Sequence, residues 1–500
     1  MSGEREVGVA APPVRRVAIS RRQSLAVISG VLFLGAFAFL YAFRNEGIFH
    51  LDSVFLAQAV ENIYANNRWD VEWRFGAVLA NALVYFPFWL CGENAERATI
   101  LSSILFHACS IPMAFLFLER LSGSRLLAAL AAGLLAVAPV YAITNTFGKE
   151  YGLAVFLVVT SFYLALTARE VGSALRAASA ALLFALSYIV WEGMLAITPI
   201  AVVVLFAPRF ERPVLGPHTR RLAVGALAGF AVGLAFDLST SLHSTVRTYA
   251  TSRQMTGFRG IASPVLPIAL RDLQHFLGWP FLVASTLGLA LALWQRRYRA
   301  VLPLASLLIL TLGFYGNLST YGPRYLVLCA LGLCILAAVA FHFLLTRRML
   351  VRMAAMAAYG FIVGSMVAVS YPLLAPRHTY NGAKRFAQMI AEVTEPASVI
   401  IVMDDSRFVE YYAHRATLGH PIGDRAATQA WVDNVRQALD RGPVYLAESG
   451  LSYDPGHIVQ QAIAANFSLT LAGKRTTEDY HHAERRLQLY EGHLWRLAPK

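Results

Sequence analysis

The sequence carries little charge for its length of 500 residues. Only 15% of its residues are charged, whereas soluble globular chains are about one-quarter charged. Long uncharged runs fill the chain as far as Tyr371, and beyond it short apolar runs alternate with charges. The composition excludes an ordinary soluble protein. It predicts a polytopic α-helical membrane module followed by a soluble α/β domain.

Cysteine and lysine are also scarce. The four cysteines are Cys91, Cys109, Cys329 and Cys334, all in or beside apolar runs and none in a CxxC pair, which excludes a disulfide framework or a zinc ribbon. Lysine occurs 4 times against 39 arginines, and the net charge is +13. The arginines lie in short groups between apolar runs, not along one helix. This pattern excludes a nucleic-acid binder and indicates charges that set membrane topology.

Eleven apolar runs are candidates for membrane-spanning helices. They are 24–43, 98–118, 126–143, 151–168, 177–191, 194–207, 222–239, 276–294, 300–317, 325–345 and 350–371. A further run, 77–91, is short and contains Pro87, so it is either a twelfth span or a helix at the interface. If it does not cross, the arginine groups beside the spans all fall on one face, which is then the cytoplasmic face.

We therefore predict eleven spans with the N-terminus in the cytoplasm of a bacterial plasma membrane. Residues 1–372 form the transmembrane module, with interfacial helices in an outer loop at 44–97. Residues 373–500 form an extracytoplasmic α/β domain. In that domain we expect strands near 398–403, 443–448, 467–473 and 485–497, and helices near 407–414, near 426–440 and after Asp454-Pro455.

The outer loop after the first span contains the sequence HLDSVFLAQAVENIY. Leu51, Val54, Phe55, Ala59, Val60 and Ile63 recur at helical spacing, which predicts an amphipathic helix at the membrane surface. Asp52 lies at the start of this helix. It could cap this helix by accepting a bond from a backbone N–H, and the same placement could hold a reactive carboxylate in a fixed orientation, so the two roles are compatible.

Other charged residues are predicted near the membrane borders. Lys149 and Glu150 precede a span on the outer face, as an interfacial pair or as part of a site. Glu192 interrupts two short apolar runs, and an ionisable residue at membrane depth is a functional candidate. Arg324 opens a late span in the run YGPRY and could hold a phosphate through forked hydrogen bonds. Outer-face arginines at 247, 253 and 259 favour an anionic ligand.

Metal binding has little support in the sequence. His481, His482 and Glu484 have loosely metal-like spacing, but no fourth ligand accompanies them. Asp404 and Asp405 follow a predicted strand, where ligands often bind in α/β sheets. No glycine-rich phosphate loop is present. We therefore expect no metal site, although Mg²⁺ or Mn²⁺ dependence stays open.

Four stretches, in this order, resemble the GT-C superfamily of membrane glycosyltransferases. They are HLDSVFLAQAVENIY, FPFWLCGENAERATILSS, TFGKEYGLAVF and YGPRYLVLCALGL. The set is most similar to the branch with protein O-mannosyltransferases and lipid A aminoarabinose transferase. The resemblance covers most of 25–372 and implies a helical fold in which 77–91 stays on the outer face.

The resemblance also implies roles. Asp52 would be the general base that deprotonates the acceptor, and Glu150 the second acid of the outer loops. The donor phosphate would be held by Arg324 and Lys149, with Arg259 and Tyr325 beside them. Further candidates for contact with acceptor or donor are His50, Glu61, Arg74 and Glu192.

Two departures from the family pattern are visible. Asp52 is followed by Ser53 and not by a second acid, and Glu192-Gly193 replaces the Lys-Gly of the aminoarabinose-transferase type. The resemblance implies transfer of a sugar, with inversion, from a polyprenyl-phosphate donor to an extracytoplasmic glycolipid, polysaccharide or protein. The alternatives are a flippase or transporter and a polymerase of lipid-linked saccharides. A transporter would often contain inverted repeats, and the sequence shows none.

Overall fold

The structure is a computed structural model. It describes residues 20–500 apart from 68–73, 208–216, 241–262, 264, 316–321, 380, 404–405, 449–453 and 482–485. The helices of the first part are α1 Arg21–Ala42, α2 Leu51–Asn66, α3 Phe75–Leu90, α4 Ala95–Ser122, α5 Arg125–Val137, α6 Pro139–Asn145, α7 Tyr151–Val171, α8 Ala174–Val190, α9 Thr198–Phe206, α10 Pro217–Thr240, α11 Val265–Leu277, α12 Trp279–Trp294, α13 Leu302–Tyr315, α14 Val327–Leu345 and α15 Met349–Thr379. Short 3-10 turns lie at Glu192–Ile197, Arg296–Val301 and Pro323–Leu326.

The described helices confirm an integral membrane protein. Seven are long and apolar enough to cross a bilayer, and the number is nine if two bent pairs each count as one span. The bent pairs are α5 with α6, at 54°, and α11 with α12, at 104°. The predicted total of eleven spans stays a prediction. The run at 77–91 forms most of α3, which at 16 residues is shorter than a straight span requires.

Apolar side chains on the spans face outward as well as inward. On α1, Val27, Val31 and Leu34 are each more than 60% exposed, while Ala36 and Leu40 are buried. Such a surface would be unfavourable in water and fits a helix that contacts lipid.

Small residues bring α8 and α10 close together. A Cβ at Gly225 or Gly229 would overlap the carbonyl groups of Ala174 or Ala178, and one at Gly233 would overlap the Ala185 side chain. Because lipid tails are as apolar as the side chains, close backbone packing is what holds such helices together.

The C-terminal part contains a five-stranded sheet. Its strands are β1 Val399–Ile401, β2 Ala416–Leu418, β3 Val444–Ala447, β4 Phe467–His481 and β5 Arg486–Pro499. The order is β2-β1-β3-β5-β4, with β1 parallel to β2 and β3, and β5 antiparallel to β3 and β4. The helices of this part are α16 Gly382–Val393, α17 Ser406–Phe408 with a π-turn at Val409–Ala413, α18 Arg425–Arg441 and α19 Ile458–Asn466.

Helices cover both faces of this sheet. Phe386 and Ile390 of α16 pack against Ile400 and Tyr445 on one face. On the other face, Val435 of α18 and Ile463 of α19 pack against the strand residues, Ile401 among them. The tail is thus α/β, as its sequence predicts, although β2 and α16 are additional to the predicted elements. Helix α15 also continues past the predicted division at 372.

The tail is attached to the ends of the membrane helices by polar contacts. Lys384 of α16 contacts Glu96 of α4 at 2.8 Å, and the Tyr412 hydroxyl donates to the same carboxylate at 3.2 Å. The Tyr411 hydroxyl donates to Glu61 of α2 at 2.9 Å. These contacts fix the tail over α2, whose first turn carries Asp52.

Candidate active site

Asp52 occupies the second position of α2. The residue before the helix is His50, whose Nδ1 accepts a hydrogen bond from the Asp52 backbone N–H at 3.1 Å. The capping role therefore belongs to His50, and Asp52 is not the cap that one interpretation of the sequence expected. The Asp52 carboxylate is directed instead to cations from two other segments.

Three further charged residues join Asp52 in an ion-pair cluster, made of Asp52, Arg74, Lys149 and Glu150. The Lys149 ammonium pairs with Asp52 Oδ2, and the Arg74 guanidinium lies 3.5 Å from that oxygen. Arg74 Nη1 also pairs with Glu150 Oε1. Among the described residues, two carboxylates and two cations thus form one group, in which each acid contacts a cation from a different part of the chain.

Local backbone geometry positions the two cations of the cluster, Arg74 and Lys149. Arg74 immediately precedes α3 and has φ of 52°, in the left-handed region. Lys149 follows Gly148, which has φ of 79°, a conformation that glycine adopts without steric cost. The Ser103 hydroxyl of α4 holds this turn by donating to the Lys149 carbonyl at 2.6 Å.

The members of the cluster differ in exposure. The side chains of Lys149 and Glu150 are fully enclosed and that of Arg74 is 7% exposed, while 26% of the Asp52 side chain remains accessible. Asp52 is therefore the acid that a substrate can reach, and the other three are its supporting charges.

The charges set the protonation states at this site. Burial alone would raise the pKa of Asp52, but the Lys149 ammonium and the Arg74 guanidinium outweigh it and hold that pKa well below its usual range. Burial lowers the pKa of His50 well below its usual value, and Lys149 adds to the effect. Asp52 is consequently a carboxylate, and His50 a neutral imidazole, at neutral pH.

Arg324 lies beside this cluster, in the 3-10 turn at Pro323–Leu326. It lines a cavity of about 100 Å³ together with His50, Thr144 and Phe147. Its guanidinium carbon lies 4.9 Å from the ring centre of Tyr325, and its Nη2 donates to the Tyr325 hydroxyl at 3.3 Å. Among the described residues, none accepts a hydrogen bond from the buried Arg324 Nε.

A column of aromatic rings supports Arg324. The rings of Tyr325 and Tyr315 stack with centres 4.4 Å apart and planes at 7°, and Tyr315 stacks on Trp191 at 5.7 Å. Trp191 meets Tyr151, the residue after Glu150, edge to face at 4.6 Å. The column links Arg324 to the first turn of α7, which directly follows Lys149 and Glu150 of the ion-pair cluster.

Solved structures with this architecture were found among membrane glycosyltransferases. ArnT (aminoarabinose transferase) from Cupriavidus metallidurans has a TM-score of 0.58 at 13% identity, over 95% of this chain and 98% of that one. The Archaeoglobus fulgidus oligosaccharyltransferase has 0.57 at 12% identity, over 90% and 73%. Arabinofuranosyltransferase AftD from Mycobacteria has 0.52 at 14% identity, over 96% and 40%.

All three neighbours are GT-C glycosyltransferases. This chain has the GT-C fold. No protein-family model and no curated relative matches the sequence. At these identities the likeness concerns the fold, so the chemistry of this GT-C chain must be argued from its own side chains.

The GT-C fold of this chain brings most of the predicted site residues together. Asp52 contacts His50, Arg74 and Lys149, and Arg74 also contacts Glu150. Arg324, which is bonded to Tyr325, lines a cavity together with His50. Glu61 is placed elsewhere: its carboxylate accepts from the backbone N–H of Ala95 at 2.8 Å and from Tyr411. Arg259 and the side chain of Glu192 lie outside the described residues.

Sequence reasoning missed the aromatic column of the candidate site. In the sequence, Trp191 was visible only as part of the break between two apolar runs. Tyr315 lies at the end of an ordinary apolar helix, so nothing in the sequence marked it as a site residue.

No group of three or more His, Cys, Asp or Glu side chains that could hold a metal ion converges within the described part of the chain. Of the tail residues considered for ligands, Asp404, Asp405, His482 and Glu484 fall outside that part, as does the side chain of His481.

Proposed function

We propose that this protein is a glycosyltransferase that moves a sugar from a polyprenyl-phosphate donor to an extracytoplasmic acceptor, with inversion at the anomeric carbon. The observation that carries the proposal is the accessible Asp52 carboxylate, held by two cations next to Arg324. An ArnT structure contains undecaprenyl phosphate, and an Archaeoglobus fulgidus oligosaccharyltransferase structure contains a dolichol-phosphate. These neighbours support a lipid-phosphate donor for this chain as well.

Asp52 acts as the general base in this proposal. Lys149 and Arg74 both approach Oδ2, so Oδ1 is the oxygen that we assign to the acceptor hydroxyl. The acceptor oxygen attacks the anomeric carbon and gives its proton to Asp52 as the new bond forms. The bond from that carbon to the phosphate oxygen breaks, and the electron pair leaves with the polyprenyl phosphate. Attack from the face opposite the leaving group inverts the configuration.

Arg324 binds the leaving phosphate. Its planar guanidinium can donate two parallel hydrogen bonds to phosphate oxygens, and its buried Nε has no acceptor among the described residues. Negative charge grows on the phosphate as the glycosidic bond breaks. A cation that the Tyr325 ring already holds in place stabilises that charge without reorganising.

Lys149 couples donor binding to the base strength of Asp52. While it pairs with Asp52, the carboxylate is a weak base because its pKa is held well below the usual range. A donor phosphate would compete with Asp52 for the Lys149 ammonium. Moving the ammonium toward the phosphate raises the pKa of Asp52, so the base becomes effective when the donor is bound.

The charges of the site do not favour a resident divalent cation. Such an ion prefers several free carboxylate oxygens, whereas Asp52 and Glu150 are already paired with Lys149 and Arg74. We therefore propose a reaction in which side-chain cations supply the positive charge. Full activity of the purified chain in a chelator would agree with this, and loss restored by Mg²⁺ or Mn²⁺ would contradict it.

Donor consumption tests the proposed function. The full chain, reconstituted in vesicles, is given undecaprenyl-phosphate-linked sugars together with cell-envelope extract as acceptor, and free undecaprenyl phosphate is measured. The wild type should release it and Asp52→Asn should not, while both proteins insert equally. Equal release by the two proteins would refute the proposal. Movement of the lipid across the bilayer without release would indicate a flippase instead.

A further inference from the structure

A second, larger cavity lies apart from the ion-pair cluster. Its volume is about 910 Å³, and none of the residues that line it belongs to that cluster. It opens where α1 ends and α4 begins, so it lies at the ends of two candidate spans, beneath α16 of the tail. The ends of membrane spans lie near the boundary between lipid tails and head groups.

The carboxylates that line this cavity are neutralised by cations. The pairs are Glu96 with Lys384 at 2.8 Å, Glu93 with Arg97 at 3.3 Å, and Glu46 with Arg385. Arg44 also lines the cavity, and it has no carboxylate partner among the described residues. Its Nη1 donates to the Tyr41 carbonyl at 3.0 Å, and its guanidinium stacks on the Tyr41 ring. Because Arg385, which pairs with Glu46, lies outside the lining, Arg44 is the cation of the cavity that no lining carboxylate is needed to neutralise.

Asn45 is the second feature that indicates a ligand. It lines the same cavity and is only 5% exposed. Neither its amide nitrogen nor its amide oxygen has a hydrogen-bond partner within the described part of the chain. A buried amide left without partners costs free energy, and a phosphate oxygen in the cavity would accept a hydrogen bond from the amide nitrogen.

Asn94 and His378 also line the cavity, and most of its remaining lining is apolar. Ile100, Leu101 and Ile104 come from the first turns of α4. An occupant must therefore place an anionic, hydrogen-bonding group against Arg44 and Asn45 and an apolar chain along α4. A phospholipid combines these two properties, whereas free phosphate lacks the second.

We propose that this cavity binds the phosphate head group of an anionic phospholipid from the surrounding bilayer, through Arg44 and Asn45. The site is separate from the donor site at Arg324. Because Glu46, Glu96 and their partners Arg385 and Lys384 join the membrane helices to the tail around this cavity, the bound lipid also contributes to docking of the tail.

Lipid retention by the full-length chain tests this proposal. The protein is purified in mild detergent and titrated with phosphatidylglycerol, with phosphatidylcholine or with sodium phosphate, and bound lipid is counted by native mass spectrometry. The wild type should retain phosphatidylglycerol in preference to phosphatidylcholine. Arg44→Gln should weaken that binding by about ten- to a hundredfold, since a hydrogen bond to a charged group contributes about 1.5–3 kcal/mol. Asn45→Ala should weaken it less.

Arg97→Lys is the matched control. Arg97 lines the same cavity and is paired with Glu93, and lysine keeps the charge of that pair, so this variant should bind phosphatidylglycerol as the wild type does. Equal retention by wild type and Arg44→Gln would overturn the proposal. So would equal binding of the two lipids, or retention of phosphate from sodium phosphate equal to that of phosphatidylglycerol. Arg44 is exposed, so its substitution does not threaten folding.

Discussion

Lys149 and Asp52 form an ion pair across 97 positions of sequence, with the ammonium fully enclosed and about a quarter of the carboxylate side chain accessible. This asymmetry defines the site. The turn that Ser103 holds fixes the backbone of Lys149, so only the ammonium end of its side chain can shift toward a bound phosphate. The accessible partner is the one that can meet an acceptor, and its base strength depends on how tightly Lys149 engages it.

Replacing Asp52 by Asn should reduce sugar transfer by about 100- to 10,000-fold, the contribution typical of a general base. The amide keeps the shape of the side chain but cannot take a proton. Lys149 still faces Glu150, so the variant should remain folded and inserted. The measurement is release of polyprenyl phosphate together with the amount of protein in the membrane.

Asp433→Asn provides the control for this loss. Asp433 is an exposed acid on α18, paired with Arg436 at 3.0 Å, and lies in the tail. Its variant should transfer sugar at the wild-type rate. If Asp52→Asn kept that rate too, the assignment of the base would be wrong.

Substitution of Arg324 should weaken donor binding and also slow the chemical step. Arg324→Lys keeps the charge but loses the fork and the stacking on Tyr325, and Arg324→Gln loses the charge as well. We expect the KM for the donor to rise in both and kcat to fall further in Arg324→Gln, because the charge stabilises the leaving phosphate. Arg436→Gln, at an exposed arginine, should change neither constant. A rise in the acceptor KM alone would contradict the role in donor binding.

Much of this site was predictable from local sequence. Asp52 and Arg324 each open a helical segment after a polar loop, and Lys149-Glu150 directly precedes a span, so residue type and position indicated all four. What the sequence could not supply was the pairing. Whether Lys149 meets Asp52, and whether Arg74 joins Glu150, depends on how α2, α3 and α7 pack, and no spacing along the chain encodes that.

The limits of prediction in the fold have similar causes. The apolar runs identified the membrane helices because hydropathy is a local property. They did not reveal that α5 and α6 bend by 54° or that α11 and α12 bend by 104°, since both segments of each pair are apolar. The short strand β2 and the contact of Tyr411 with Glu61 were also missed, because each depends on partners distant in sequence.

The pH dependence of the rate should separate free and donor-bound enzyme. Without donor, Lys149 and Arg74 hold the pKa of Asp52 well below its usual range, so the base is ionised throughout pH 5–8. As far as Asp52 is concerned, kcat/KM for the donor should therefore stay flat from pH 8 down to about pH 5. Once the phosphate draws Lys149 away, the pKa rises, so kcat should begin to fall at a higher pH than kcat/KM does. If kcat and kcat/KM began to fall at the same pH, the proposed shift of Lys149 from Asp52 to the donor phosphate would be refuted.

Gly193 should tolerate no side chain, because the aromatic column passes directly over it. A Cβ at this position would overlap the Tyr315 hydroxyl, lie 2.6 Å from its Cζ and lie 3.0 Å from Cε2 of Trp191. Gly193→Ala should therefore push Tyr315 off Tyr325 and cost about 1–3 kcal/mol, the usual range for overpacking. The displaced column should also loosen Arg324, so the donor KM should rise along with the fall in thermal stability. Gly364→Ala is the control, because a Cβ on that residue of α15 meets no atom within 4 Å and alanine favours a helix. If Gly193→Ala matched Gly364→Ala in melting temperature and donor KM, the column would not be what positions Arg324.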